Sequence, residues 1–332
     1  MTLTAVATFT RRFIFLFILS LILGIAGFIG YKMWYANYLT SIPPIEEKPD
    51  TRFGNLPKPN FPDASVSSSN FSYSLDTTTG GLPSFDKLLK VYFIPKAYST
   101  LLASDKSREL ASQLGINVSP TIISETRYLF TQNTKSLTVD LDTGNFTFKQ
   151  EATVAGIPQT GTVETEKLVD DFKNFLNSNQ LLKEGLQNGP TKMNPLTIVE
   201  TPAFEISIWP QDLDGKPILT ASANKSLVNA TVINNTRQIE NYISLNYTYW
   251  PIDTSTFGTY PAKPIETALA NLKSGEGIII QEPSKPQISI TSVYLAYFLE
   301  TSYSPYLQPI YVFEGPQFRA YVLALDNYSI SQ

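Results

Sequence analysis

Apolar and polar residues follow three rhythms along this chain. The first is a solid block. From Phe13 to Gly30 no residue carries a charge, and most are Phe, Ile or Leu. Carried on to Trp34, a helix rising about 1.5 Å per residue reaches roughly 33 Å, enough to cross a bilayer core. Trp34 and Tyr35 fall where interfacial aromatics sit, and Arg11 and Arg12 stand just ahead of the block. A transmembrane helix is therefore expected over residues 13–35, after a short tail at 1–12.

The second rhythm repeats every three to four residues. Leu110 and Leu114 mark the buried face of a helix expected from an N-cap at Ser104 to Leu114, with Gly115 as its stop. Leu168, Val169, Phe172, Phe175 and Leu176 mark a second, starting at Glu164 or Thr165 and ending near Leu182. Ala268, Leu269 and Leu272 mark a third, opened by Pro264 and closed by Gly275 and Gly277. The third rhythm is the alternation of strands. It picks out Leu88–Ile94, then Arg127–Thr131, Ser136–Leu141 and Phe146–Gln150, the last two joined by an Asp142-Thr143-Gly144-Asn145 turn. Further strands are expected at Ala203–Trp209, Ile218–Ala221, Leu227–Ile233 and Ile239–Tyr249. A last group covers Ile278–Gln281, Ile288–Leu299, Ile310–Glu314 and Phe318–Leu325.

Helix followed by antiparallel strands thus recurs three times. The expected class is α+β, each helix covering a sheet face, in modules at residues 82–160, 161–259 and 260–332. Between anchor and first module, residues 36–81 are rich in Pro and Ser, including Ile42-Pro43-Pro44 and Leu56-Pro57-Lys58-Pro59. Repeated prolines favour extended backbone, so this stretch is expected to be a stalk, with an edge strand conceivable near Phe71 and Tyr73.

Composition narrows the chemistry. The chain has no Cys and no His, which removes thiol nucleophiles, Ser-His-Asp triads, imidazole or thiolate metal sites and disulfides. Net charge is −4 with no long basic run, which argues against nucleic-acid binding. Arg11 and Arg12, set against Glu46 and Glu47 beyond the helix, place residues 1–12 in the cytoplasm and the rest outside by the positive-inside rule. A cell-membrane, single-pass, extracytoplasmic bacterial protein is expected. A cleaved signal peptide is the rival, but the apolar run is long for one and lacks a clear cleavage signature. Ala26 and Gly30, four apart, form a small-residue face on which two helices could meet as a homodimer.

Asp140, Asp142 and Asn145 lack the third ligand and distal Glu of a calcium loop, and a hairpin turn accounts for them. Asp212-Leu213-Asp214-Gly215 likewise reads as a tight turn. The adjacent pairs Lys135-Ser136 and Ser284-Lys285 do not have the S-x-x-K spacing. No catalytic residue, cofactor or metal is expected. The densest aromatics lie between Tyr294 and Phe313. Within them the Glu300–Pro309 connection, with Tyr303 and Tyr306 beside prolines and Glu300 at the rim, is the candidate partner-binding segment.

The helix Ser107–Gly115 followed by Lys135–Gly144, with its V-D-x-D-T-G turn, resembles the helix and hairpin of PepSY-type domains. Tyr260-Pro261, Glu266–Leu269, Leu272–Gly277, Leu295–Tyr297 and Tyr306–Phe313 resemble the C-terminal part of YycH/YycI-type proteins. Those are single-pass extracytoplasmic regulators of a wall-responsive sensor kinase. The resemblance implies helix-on-sheet modules and a regulatory role, and it supplies no catalytic residues. The expected function is non-catalytic binding of another envelope protein, a peptide or a wall polymer. The alternative is a structural subunit of a surface assembly.

Overall fold

The computed structural model describes residues 3–41, 48–63, 66–151, 165–198, 201–233, 239–326 and 329–330. It divides into two units, Met1–Lys48 and Pro49–Gln332. The first is one helix, α1 (Leu3–Ser41), so the tail expected at 1–12 is mostly an extension of the same helix. Within it Phe13–Tyr35, 23 residues at mean hydropathy 2.7, is long and apolar enough to cross a membrane. Rings four apart stack along its end, Tyr31 on Tyr35 at 6.0 Å and Trp34 on Tyr38 at 5.7 Å between centroids.

The second unit starts earlier than the composition suggests. From Pro49 the chain is not a free stalk but a strap laid on the sheet beneath it. The amide of Phe53 donates to the Tyr260 hydroxyl at 2.9 Å. Leu56 is 0% exposed, and its amide donates to the Ser329 carbonyl at 2.8 Å. Phe61 packs on Phe298 with centroids 4.7 Å apart. The prolines still do what proline does, keeping the strap extended. Between them an apolar residue every few positions drops into the core, which a composition-based reading of Pro and Ser does not register. After Ser67, whose side chain caps a short turn at Ser68–Asn70, β1 (Ser72–Leu75) pairs in parallel with β14 (Gln287–Ile290).

Two larger sheets follow. The first holds eight strands in the order β3-β4-β5-β6-β11-β10-β8-β7. Half of it is α2 (Ala103–Gln113) and the meander β3 (Thr121–Ser124), β4 (Arg127–Gln132), β5 (Lys135–Asp140) and β6 (Phe146–Gln150). The other half is α3 (Thr165–Ser178), the short α4 (Glu184–Gln187), and β7 (Thr191–Ile198), β8 (Thr201–Ile208), β10 (Val228–Ile233) and β11 (Tyr242–Tyr247). Each half is a helix and four meandering strands, and the halves join through their last strands, β6 against β11. The modules expected at 82–160 and 161–259 are therefore one sheet, because ladder pairing continues across their boundary. Register explains the single core: Phe130, Leu137, Phe148, Leu245, Ala230, Ile206 and Met193 face one another in turn across seven strands. Onto that row pack Ala111 of α2, Leu114 at its C-cap, and Leu168, Phe172 and Leu176 of α3. With period 2 in the strands and 3.6 in the helices, one apolar face meets another.

The second sheet runs β12-β2-β16-β15-β9, with β17 on β16 and β13 on β17. Its strands are β2 (Leu88–Phe93), β9 (Ile218–Leu219), β12 (Asp253–Pro261), β13 (Ile278–Gln281), β15 (Ser292–Phe298), β16 (Tyr306–Gly315) and β17 (Phe318–Leu323). The module expected at 260–332 thus borrows β2, β9 and β12 from chain assigned to the other two. In α5 (Ile265–Ser274), Ala268 and Leu272 cover one face beside Tyr311 and Phe313, while Ile310 and Val312 look to the other face beside Phe61. Burial on both sides is why β16 reads as an apolar run instead of an alternation.

Candidate binding cleft

A cleft of about 370 Å³ opens on the helical face of the eight-stranded sheet, near the seam between its halves. Its position follows from where the two helices stop. α2 has no side-chain cap; Ser104, expected as the cap, lies inside the helix and its Oγ donates to the Tyr128 hydroxyl at 3.4 Å. The helix ends at Gln113, and Gly115 takes the left-handed φ of 74° that glycine accepts without cost. α3 ends at Ser178, short of Leu182, and Gln180 turns the chain with φ 58°. The residues that follow, Gln180 to Lys183, close one wall of the cleft.

The lining mixes apolar and polar side chains; its apolar members are Leu110 from α2, Val139 and Leu141 at the end of β5, Leu181 after α3, and the ring of Tyr247. The Tyr247 hydroxyl donates to the Leu181 carbonyl at 2.8 Å, pinning the end of α3 to the sheet. Burial, then the neighbouring Tyr249, pushes the Tyr247 phenol above its ordinary range. Tyr249 is also raised, by burial and then by Glu184. Both rings are therefore neutral hydrogen-bonding surfaces at physiological pH.

The rim is charged, with both signs. Lys106 and Glu109 stand on α2, Asp142 on the turn after β5, and Lys183 on the opposite wall. The turn is built as its sequence implies. Asp140 Oδ1 accepts from the Thr143 amide at 2.9 Å and its hydroxyl at 2.8 Å, and Gly144 takes φ 72°. Asp142 Oδ1 accepts from the Ser99 amide at 2.9 Å, tying the turn to the loop before α2. Asn145 Oδ1 accepts from the Tyr249 amide at 2.9 Å. These oxygens serve the fold, and among the described residues no three His, Cys, Asp or Glu side chains cluster to hold a metal. The hydroxyl of Ser107, the serine next to Lys106, donates to the Ser104 carbonyl at 2.7 Å and is 3% exposed. Its proton is committed to the helix.

The residues singled out from the sequence lie elsewhere. Glu300 is 8% exposed; its Oε2 accepts from the Asn60 amide at 3.0 Å, and its carbonyl accepts from the Trp250 indole N–H at 3.0 Å. The Tyr303 hydroxyl donates to the Ile94 carbonyl at 3.0 Å, and its ring stands edge-on to Trp250 at 5.8 Å. Tyr306 opens β16 with its ring 5.0 Å from Phe53. Both tyrosines are half-buried. All three fasten the strap and β2 to the second sheet, so their packing accounts for the local density of rings. The cleft gave little sequence signal, since its parts come from four separate stretches. Of these, the helix over Ser107–Gly115 and the Asp140–Gly144 turn belong to a recognisable pattern.

No family model and no curated protein matches this chain. Solved structures that align with this chain include two of low similarity. An uncharacterized protein from Eubacterium rectale ATCC 33656 aligns over 71% of this chain and 82% of its own, at 14% identity and TM-score 0.39. The Bacillus megaterium YpeB C-terminal domain aligns over 70% of this chain and 96% of its own, at 11% identity and TM-score 0.31.

Proposed function

We propose that this chain is a membrane-anchored recognition protein with no catalytic chemistry of its own. Its folded unit stands on the extracytoplasmic side and binds another envelope protein, a peptide or a wall polymer in the cleft. The observation that carries the reading is the cleft itself. Apolar side chains set among polar and charged ones of both signs suit a ligand that offers apolar groups for burial and polar groups for orientation. Of the aliphatic hydroxyls in its lining, those of Ser107, Thr143 and Ser178 donate to the Ser104 carbonyl, the Asp140 carboxylate and the Asn174 carbonyl, and a chain without His or Cys offers no imidazole or thiol to activate them. The apolar span Phe13–Tyr35 supports the anchor. Arg11 and Arg12 ahead of it support the orientation. The motif resemblance to PepSY-type and YycH/YycI-type regulators points the same way.

Photo-crosslinking tests this. A photoreactive amino acid placed at Lys106 in the full chain, expressed in membranes, should join it to one distinct partner identified by mass spectrometry. Crosslinks only between copies of this chain would favour the structural-subunit alternative instead.

A further inference from the structure

The loop before α2 carries a feature that folding does not use. Tyr98 is 70% exposed, Leu101 102% and Leu102 59%. Leu102 occupies the N-cap of α2 and makes no side-chain cap, at a position where Ser, Asp or Asn would stabilise the helix. Leu101 buries nothing. Three large apolar side chains therefore face water within five residues of chain. The loop is continuous with the cleft, because Tyr98 and Ala103, on either side of the two leucines, both line it. An exposed apolar patch beside a polar-rimmed hollow marks an interaction site.

We propose, on the reading that the cleft is the recognition site, that its occupant is an extended polypeptide segment bearing apolar side chains, covered on one flank by Tyr98, Leu101 and Leu102. The loop projects beyond the hollow, so a small solute seated on the floor would leave both leucines in water. A glycan offers hydroxyls and no apolar side chain to cover them. A lipid surface would cover them, but the adjoining turns of α2 set Asp105 and Glu109 against Lys106 and Arg108, all exposed, and so offer an anionic leaflet no net positive charge. A peptide supplies apolar groups for the floor and loop, and amide donors and acceptors for Lys106, Glu109 and Gln113. Aromatic and aliphatic anchors flanked by polar contacts are the arrangement in which a few residues dominate affinity.

The test uses the full chain in lipid nanodiscs. Because the chain has no Cys, Leu101→Cys and Gln113→Cys each provide a unique thiol, at an exposed site, for an environment-sensitive dye. The probe is a pool of random decapeptides rich in Leu and Phe, with a pool carrying Ser in their place as control. Both dyes are expected to shift saturably with the apolar pool and not with the Ser pool. Leu101→Ser combined with Leu102→Ser should weaken the response read at position 113 by about tenfold. A response at 113 without one at 101 would overturn the loop's role while leaving the cleft as the recognition site. A shift at 101 on transfer from detergent to nanodisc, before any peptide is added, would assign the loop to the lipid surface and overturn the proposal. Silence of both dyes toward both pools would overturn a polypeptide occupant, and the crosslinking experiment alone would then judge the cleft.

Discussion

Leu56→Ala is the substitution that asks most sharply whether the proline-rich strap belongs to the fold. Leu56 is fully buried among residues of the second core, bridged to Ile330, and its amide is bonded to Ser329. Alanine keeps that backbone bond and removes only side-chain atoms, so the loss is transfer energy plus a cavity, about 2–5 kcal/mol. In a unit of this size each kcal/mol moves the melting temperature by about 2 °C, the lower end of the range for large domains. The expected drop is then about 4–10 °C, read by thermal unfolding of the full chain in detergent with near-UV circular dichroism. Lys58→Ala, two residues along and exposed, is the comparison and should stay within about 0.5 kcal/mol. If the strap were a free stalk, both variants would melt with the parent, and that result would refute the reasoning. By the same account a chain shortened to begin at Leu82 should fail to unfold cooperatively. It would uncover the core around Leu56, strip Phe61 from Phe298, and remove β1 from β14.

Three further expectations can be checked independently. Tyr303→Ala and Tyr306→Ala should each cost about 2 kcal/mol or more, since half-buried rings carry part of the 3–5 kcal/mol of a fully buried one; unchanged melting with lost partner crosslinking would instead make them contact residues. Asp214 accepts from the Tyr92 hydroxyl at 2.5 Å and pairs with Lys90 at 3.0 Å. Burial alone would raise its pKa, but those hydrogen bonds and the charges of Lys90 and Lys216 outweigh it and hold the carboxyl below its ordinary value. A carboxylate lowered in the folded state contributes stability above the unfolded pKa of about 3.9 and loses it as pH falls toward the folded value. Asp214→Asn, which tolerates the φ of 51°, should therefore flatten the loss of stability on acidification below about pH 4; an unaltered acid profile would contradict the assignment. In sealed cells Lys58→Cys should react with a membrane-impermeant maleimide, and protection until lysis would reverse the proposed topology.

Local pattern foretold elements better than their pairing. The Gly115 stop, the Asp140–Gly144 turn and the buried stripe of α3 were all legible, because capping, turn chemistry and periodicity are short-range properties. The pairing of β6 with β11 was not, since it joins residues about a hundred positions apart and leaves no local trace. β7 gives a weak strand signal because it contains Pro195, and in the fold it is the edge of its sheet, where proline is tolerated. β12 was hidden by Gly258 and a run of Thr and Ser. The strap failed for a related reason: prolines advertise extension and say nothing of whether the residues between them are buried. At the candidate site the tyrosines were visible and the cleft was not. Aromatic density is one signal shared by cores and interfaces, whereas a hollow exists only once α2, the end of α3, β5 and β11 are brought together.

If recognition takes place in the cleft, filling the cleft abolishes it. Gln113→Trp adds a large side chain at an exposed lining position of α2, where a folding penalty is not expected. Partner crosslinking from position 106 should then fall by about tenfold or more, while melting stays within about 0.5 kcal/mol of the parent. Glu125→Trp, in the exposed turn between β3 and β4 and outside the cleft, should leave the crosslink intact. Equal partner yield from the blocked and unblocked chains would contradict the account.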